Sequence, residues 1–336
     1  MSDTKPYIGG QAVIEGVMMR APGCMTVAVR KPDGGIAITE GPLVSRMAGS
    51  KLWKLPGFRG VMTLVESLKL GYSALRFSAE QQMTEEERAK GGGGGAMWIS
   101  VVAALLIFVA LPQLAAERTG SFLGLDLDVQ DWQFHALTGG FKLLVFTLYL
   151  FAISRLEDVR RVFQYHGAEH KTIFAYEAGL PLTVENVRAQ STLHPRCGTT
   201  FLIVVILVSI LVGSAVTPLL LPTADGLEAQ LLTLAIRIGL LPPIAAISYE
   251  LQRLSARYCT TGPLQVLLWP GFLFQKITTR EPDDQQIEIA IAAMRAAMWR
   301  EETGEDAEAD ASPLEFPSFE SFLEGVETLR PLRAAA

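Results

Sequence analysis

The chain has 336 residues, of which 49% are hydrophobic and 19% charged, with a mean hydropathy of +0.29 and a formal net charge of −6. Charge this sparse, against about 25% in ordinary soluble domains, is a membrane-protein composition. No basic patch with interleaved aromatics occurs, so nucleic acid is not an expected partner. The three cysteines, Cys24, Cys197 and Cys259, are far apart and odd in number. That argues against a disulfide framework and for a reducing environment around at least some of them.

In chain order, residues 1–90 read as an N-terminal cytoplasmic segment. Met1 to Arg20 lacks a basic start followed by an apolar core and a small-residue cleavage site, so no signal peptide is expected. Within Gly9 to Arg20, two glycine groups surround Gln11 and Glu15, which suits either tight backbone geometry beside a site or a turn leading into a hairpin. Met25 to Arg30 and Ile36 to Thr39 alternate around Pro32, Asp33, Gly34 and Gly35 and predict that β-hairpin. Gly60 to Phe77 has Val61, Leu64, Val65, Leu68, Tyr72 and Leu75 at helical spacing, an amphipathic helix that suits the membrane surface or a place over the cytoplasmic loop, with inward packing of its apolar stripe the default expectation. Gly91 to Gly95 reads as a flexible tether.

Four segments, 97–116, 134–154, 200–221 and 229–249, are long and apolar enough for the roughly 20 helical residues that cross a hydrocarbon layer. Lys142 in the second is expected to snorkel to the headgroups. Arg237 in the fourth is expected to face other helices, a carboxylate or a water-filled cavity. Pro242 and Pro243 predict a kink there, which would free carbonyls for Arg237 to engage. Basic residues concentrate before the first span, in the loop 155–199 and after the fourth span. The positive-inside rule then puts both termini and that loop in the cytoplasm, with the cell membrane as the location and the lipid bilayer as a partner.

The loop carries the chemistry. His166-Gly-Ala-Glu-His170 sets two imidazoles four residues apart, on one face of a helix, with Glu169 beside the second. His166 and His170 are half of the chain's four histidines, and His194 with Cys197 follows closely. If the helix runs to Ala178, Glu177 shares the face of both imidazoles. Gly179 and Pro181 would end it. Gly167 lowers the helix expectation or permits a close backbone approach. Two ligand sets for a divalent transition metal, zinc foremost, stay open. One is His166, His170 and a carboxylate, with Glu169 as the base of a hydrolase. The other is His166, His170, His194 and Cys197, closed and structural.

Residues 250–300 read as an interfacial segment, Pro263 to Ile277, followed by a helix capped around Pro282 to Asp284. Ile287, Ile291, Met294 and Met298 form that helix's apolar stripe. The acidic stretch 301–336 reads as disordered, with Phe316, Phe319 and Phe322 able to dock. The fold class is therefore a predominantly α-helical polytopic membrane protein with about four spans, a small N-terminal β-hairpin and a C-terminal amphipathic helix.

Four blocks carry a family resemblance: Gly9-Gly-Gln-Ala-Val-Ile-Glu-Gly-Val-Met-Met-Arg20, Phe163-Gln-Tyr-His-Gly-Ala-Glu-His-Lys-Thr172, His194-Pro-Arg-Cys-Gly-Thr199 and Thr278-Thr-Arg-Glu-Pro-Asp-Asp284. In this order they resemble the signature blocks of the YqhQ-like family of bacterial multi-pass membrane proteins, a domain of unknown function often labelled a predicted metal-dependent enzyme. The resemblance extends to about Arg300 and implies a shared site built from Gln11, Glu15, His166, Glu169, His170, His194 and Cys197. Two functions remain in view. One is a metal-dependent hydrolase acting on a membrane-protein or lipid-linked substrate at the inner leaflet. The other is a non-enzymatic membrane assembly or transport factor with a structural zinc site. The residues specify no oligomeric state.

Overall fold

A computed structural model describes residues 5–43, 55, 57–84, 86, 94–125, 127, 131–220, 226–259, 263–303 and 313–325. Most of the glycine tether and most of the acidic tail lie outside the described residues. The N-terminal segment forms more than a hairpin. Strands β1 (Gly9–Val13), β2 (Gly16–Arg20), β3 (Cys24–Arg30) and β4 (Ile36–Pro42) make an antiparallel meander. β5 (Leu314–Phe316) completes its edge beside β4. The glycine-bearing block is thus itself a hairpin, with Val13 opposite Gly16 across the turn Ile14-Glu15. Glu15 takes the left-handed conformation that so tight a turn demands, with φ +51°.

Both sheet faces are covered, which explains why β2 and β3 are buried along nearly their whole length. On one side lie α5 (Glu157–Glu177) and α11 (Asp284–Thr303), packed on a core that includes Val17, Met19, Ala28, Tyr165, Ile287 and Met294. On the other lies α1 (Phe58–Gln82), whose Ala74 packs with Val13, Val27 and Val29. The apolar stripe expected to pack inward on α1 faces out instead. Leu68 and Tyr72 are exposed, and the buried residues are Gly60, Gly71, Ala74 and Ser78. Close approach is the reason: a Cβ on Gly60 would sit 3.0 Å from the Cα of Ala246, and one on Gly71 2.9 Å from the Gln11 amide. Small residues thus choose the contact face, while the larger ones are left exposed.

The acidic tail, expected to be disordered, is ordered over 313–325. Beyond β5 a helical turn brings Phe322 to 1% exposure, edge-on to Phe316. These aromatics bury enough apolar surface to offset the entropy of ordering the segment.

The remaining helices are apolar: α2 (Gly94–Leu105), α3 (Leu111–Phe122), α4 (Trp132–Ile153), α7 (Gly198–Leu220), α8 (Gly226–Gly239) and α9 (Leu241–Tyr258). The short α6 (Val184–Arg188) follows α5, and α10 (Trp269–Thr278) precedes α11. A π-helical turn, Leu106–Ala110, joins α2 to α3 just before Pro112, which cannot donate to the helix ladder. Among the described residues, three helices are long and apolar enough to cross a membrane: Trp98–Phe122, Trp132–Ile153 and Gly198–Val216. The pair Leu231–Gly239 and Leu241–Ser255, bent by 43°, makes up to four. The break, at Leu240, comes just before Pro242 and Pro243, whose missing N–H groups leave the Ile238 and Gly239 carbonyls without their helix donors.

Lys142 does not snorkel. It sits midway along α4 and donates to Ser209 Oγ of α7 at 3.2 Å. Arg237 turns to His135 and the Phe134 ring of α4.

One ion pair locks α11 to the sheet. Arg300 donates to Glu40, and both side chains are under a tenth exposed. Glu40→Ala removes a carboxylate partner from a buried guanidinium and should cost about 1–3 kcal/mol. Replacing both partners by apolar residues of similar volume should cost far less, a contrast read from thermal unfolding midpoints of the purified variants.

Candidate metal centre

Helix α5 starts with Glu157 and Asp158 in its first turn, where carboxylates suit the positive helix end. It ends in a Schellman arrangement. Gly179 has φ +72°, its N–H donates to the Tyr176 carbonyl at 3.0 Å, and the Leu180 N–H donates to the Ala175 carbonyl at 3.0 Å. His166 and His170 therefore sit one turn apart on a regular helix, their rings 4.4 Å apart. Thr183 caps α6 by accepting from the Asn186 N–H. The chain then returns through Thr192 and His194 to Cys197, which immediately precedes α7.

One ligand atom from each of His166, His170 and Cys197 lies within 4.8 Å of the other two. The hydrogen bonds determine which imidazole nitrogens face the sulfur. His166 Nδ1 is 2.8 Å from the Thr278 carbonyl, and His170 Nδ1 is 2.5 Å from the Thr192 carbonyl. A carbonyl only accepts, so both Nδ1 atoms donate and both Nε2 atoms present a lone pair. His166 Nε2 lies 3.2 Å from Cys197 Sγ. Burial holds His170 below the ordinary imidazole range, which keeps its Nε2 free of a proton. The Thr199 N–H donates to Cys197 Sγ at 3.4 Å, so the amino end of α7 faces the sulfur. Two imidazole Nε2 atoms and a thiol converging in this way fit a divalent transition metal such as zinc.

Glu169 is 5% exposed, and its Oε2 stands 3.9 Å from His166 Nε2 and 4.0 Å from His170 Nε2. Burial raises its pKa above the carboxylate range, and the neighbouring His166 and His194 oppose the rise. Gly10 of β1 closes the site from the other side: a Cβ there would fall 2.6 Å from Glu169 Cγ. The glycine pair in the N-terminal block thus brings strand backbone against the carboxylate.

Other expected residues lie elsewhere. His194 Nδ1 accepts the Arg196 N–H at 3.3 Å, so the proton of the neutral ring is on Nε2. That nitrogen points toward Glu177, 3.7 Å away. His194 lines the same cavity with its ring 5.6 Å from that of His170, outside the close group of His166, His170 and Cys197, and its Nε2 is buried without a hydrogen-bond partner. Glu177 shares the helix face as expected, but Arg196 takes it as an ion pair. Glu15 stands apart, accepting from Arg161 at 2.5 Å and from the Tyr165 hydroxyl at 3.2 Å. It anchors the β1–β2 turn on α5. Gln11 lines the cavity before the cluster while its amide packs on Gly71. Arg237 belongs to the apolar bundle.

Several supporting residues gave no signal in the sequence. Gln275 of α10, fully buried, accepts the His194 N–H and donates to the His194 carbonyl, both at 2.8 Å. Lys171 donates to the carbonyls of Arg188 and Gln190 and pairs with Glu281, holding the segment that presents Thr192. The Thr278–Asp284 block does cap α11 through Asp283 and Gln286, as its sequence predicts. It also supplies the carbonyl that orients His166. Main-chain donors and acceptors carry no residue-type signature, so such roles are invisible before the fold is known.

A cavity of about 440 Å³ opens onto the cluster. Its walls include His166, Glu169 and Cys197 together with Leu150 and Ile153 of α4 and Leu202 of α7.

The family described as a protein of unknown function (DUF1385) matches residues 55–300. The uncharacterized protein YqhQ of Bacillus subtilis (strain 168) is 34% identical over 301 residues, covering 85% of this chain and 90% of that protein. No solved structure matches. By the extent of both matches, the chain belongs to the DUF1385 family of proteins of unknown function, to which the YqhQ-like resemblance had pointed.

Proposed function

We propose that this protein is a multi-pass protein of the cytoplasmic membrane whose 155–199 loop and both termini are cytoplasmic. In this reading it is a metal-dependent hydrolase acting on a peptide or lipid-linked substrate at the inner leaflet. The observation that carries it is the convergence of two Nε2 lone pairs, one sulfur and a buried carboxylate on a cavity whose walls include residues of the apolar helices.

His166, His170 and Cys197 would hold the ion, and three protein ligands are the number typical of catalytic zinc sites. A divalent ion there supplies Lewis acidity for the scissile group and for the attacking water. Glu169 Oε2 takes the proton from that water and returns it to the leaving group, a role that suits a carboxylate whose burial moves its pKa toward neutrality. Leu150, Ile153 and Leu202 receive the apolar part of the substrate, and the exposed Leu68 and Tyr72 of α1 suit a surface apposed to the bilayer.

Elemental analysis of the purified protein should find about one transition-metal ion per chain, the count expected of a single site. Glu169→Gln should keep that ion and the fold yet fail to complement a deletion strain. A metal-free preparation at neutral pH would overturn the proposal. Full complementation by the Gln variant would turn the site into a structural staple of a non-enzymatic factor.

A further inference from the structure

Away from the metal centre, a second polar cluster is enclosed by apolar helices. A cavity of about 30 Å³ lies between α3's approach, α4, α7 and the α8–α9 break, lined by His135, Thr138 and Lys142 of α4, Ser209 of α7 and Arg237 of α8. Among the described residues that line it there is no carboxylate. Arg237 is 7% exposed, and its Nη1 is buried without a hydrogen-bond partner. Its other terminal nitrogen lies 3.4 Å from Nδ1 of His135. Lys142 is held in place by Ser209.

Two basic side chains converging on one small enclosed space repel each other and lose their hydration, and among the described lining residues no carboxylate neutralises them. The amino end of α9 adds to the positive field, because Leu241 and Ile244 line the same cavity where the helix begins anew after the break. Size then selects the ligand. On this measure a water needs about 10–15 Å³, so the space holds one or two atoms of that size and no phosphate or carboxylate headgroup.

We infer that this cavity is a binding site for a single halide-sized anion, in practice chloride, coordinated by Arg237 with Lys142, and that the anion joins α4, α7 and the broken α8–α9 pair. The inference is independent of the metal centre. Arg237 supplies the open N–H donor, Lys142 the second charge, and the absence of a competing acid among the lining residues keeps both available.

The test is chloride-35 line broadening by the intact purified protein in detergent, titrated from gluconate into chloride at constant ionic strength. The wild type should give saturable excess broadening that bromide displaces. Arg237→Gln should weaken apparent chloride affinity by about tenfold or more, as loss of a buried charge partner does. Lys142→Gln, which retains a donor to Ser209, should weaken it less. No saturable broadening by the wild type, or an unchanged titration in Lys142→Gln and in any folded Arg237→Gln, would overturn the inference. If Arg237→Gln does not fold, bromide-soaked crystals of the wild type decide: an anomalous peak beside Arg237 supports the site, and none there refutes it.

Discussion

His170→Ala should leave the purified protein essentially metal-free, while His194→Ala should retain its ion. The contrast follows from the hydrogen bonds of the two rings. His170 donates through Nδ1 to the Thr192 carbonyl and has its Nε2 lone pair available, whereas the Nδ1 lone pair of His194 is already engaged by the Arg196 N–H. Losing an outer partner of a ligand typically costs about 10–100-fold in metal affinity, and losing a ligand of a three-ligand set should cost more. His194→Ala should instead loosen the turn by removing the acceptor of the Arg196 N–H and the ring packed on Phe174, while the bonds of Gln275 to the main chain at this position persist. Metal titration of both variants against a chromogenic chelator checks the pair. Equal loss of metal in both would restore the closed four-ligand set.

Gly167→Ala should destabilise the protein by roughly 3 kcal/mol, although helix propensity alone would favour Ala by about 1 kcal/mol. The added Cβ would lie 2.0 Å from the Arg280 carbonyl oxygen, an atom of the main chain that cannot swing aside. Arg280 is bound there by its own N–H, which donates to the Phe163 carbonyl at 2.9 Å. Separating the two segments would also pull the Thr278 carbonyl from His166, so metal affinity should fall along with the unfolding midpoint. Gly140→Ala on α4 is the control. Nothing lies within 4 Å of its Cβ position, so there the substitution should be neutral or mildly stabilising by up to about 1 kcal/mol. Thermal unfolding of the two variants, with metal content measured on the same samples, separates steric from helical effects.

These two cases show where sequence reasoning reaches. The i, i+4 histidines, the helix end at Gly179 and the proline bend after Gly239 are set by local geometry, and local geometry can be read from spacing. Gly167 already posed the right alternative, a weak helix position or a close approach, but only the crossing of Thr278–Pro282 over α5 decides it. The stripe on α1 failed for a related reason. Periodicity located the helix, yet Gly60, Gly71 and Ala74 determine which face packs, because backbone approach distance outweighs side-chain apolarity once two elements meet. Phe316 and Phe322 stood out within a stretch whose average composition reads as disordered. Their burial depends on the edge of β4, which composition cannot supply.

The sequence by itself determined the apolar helices, the amphipathic elements and the short list of residues able to bind a metal, since these depend on composition and on periods of a few residues. The tertiary structure decided membership and protonation: it gathers Cys197 with His166 and His170 and turns His194 toward Arg196 and Glu177. It also seals Glu169 beneath Gly10 and gives Arg237 and Lys142 a common cavity. The physical reason is that a ligand or a base is defined by where a lone pair points, and that direction is imposed by carbonyls and backbone crossings contributed from residues more than twenty positions away in the chain.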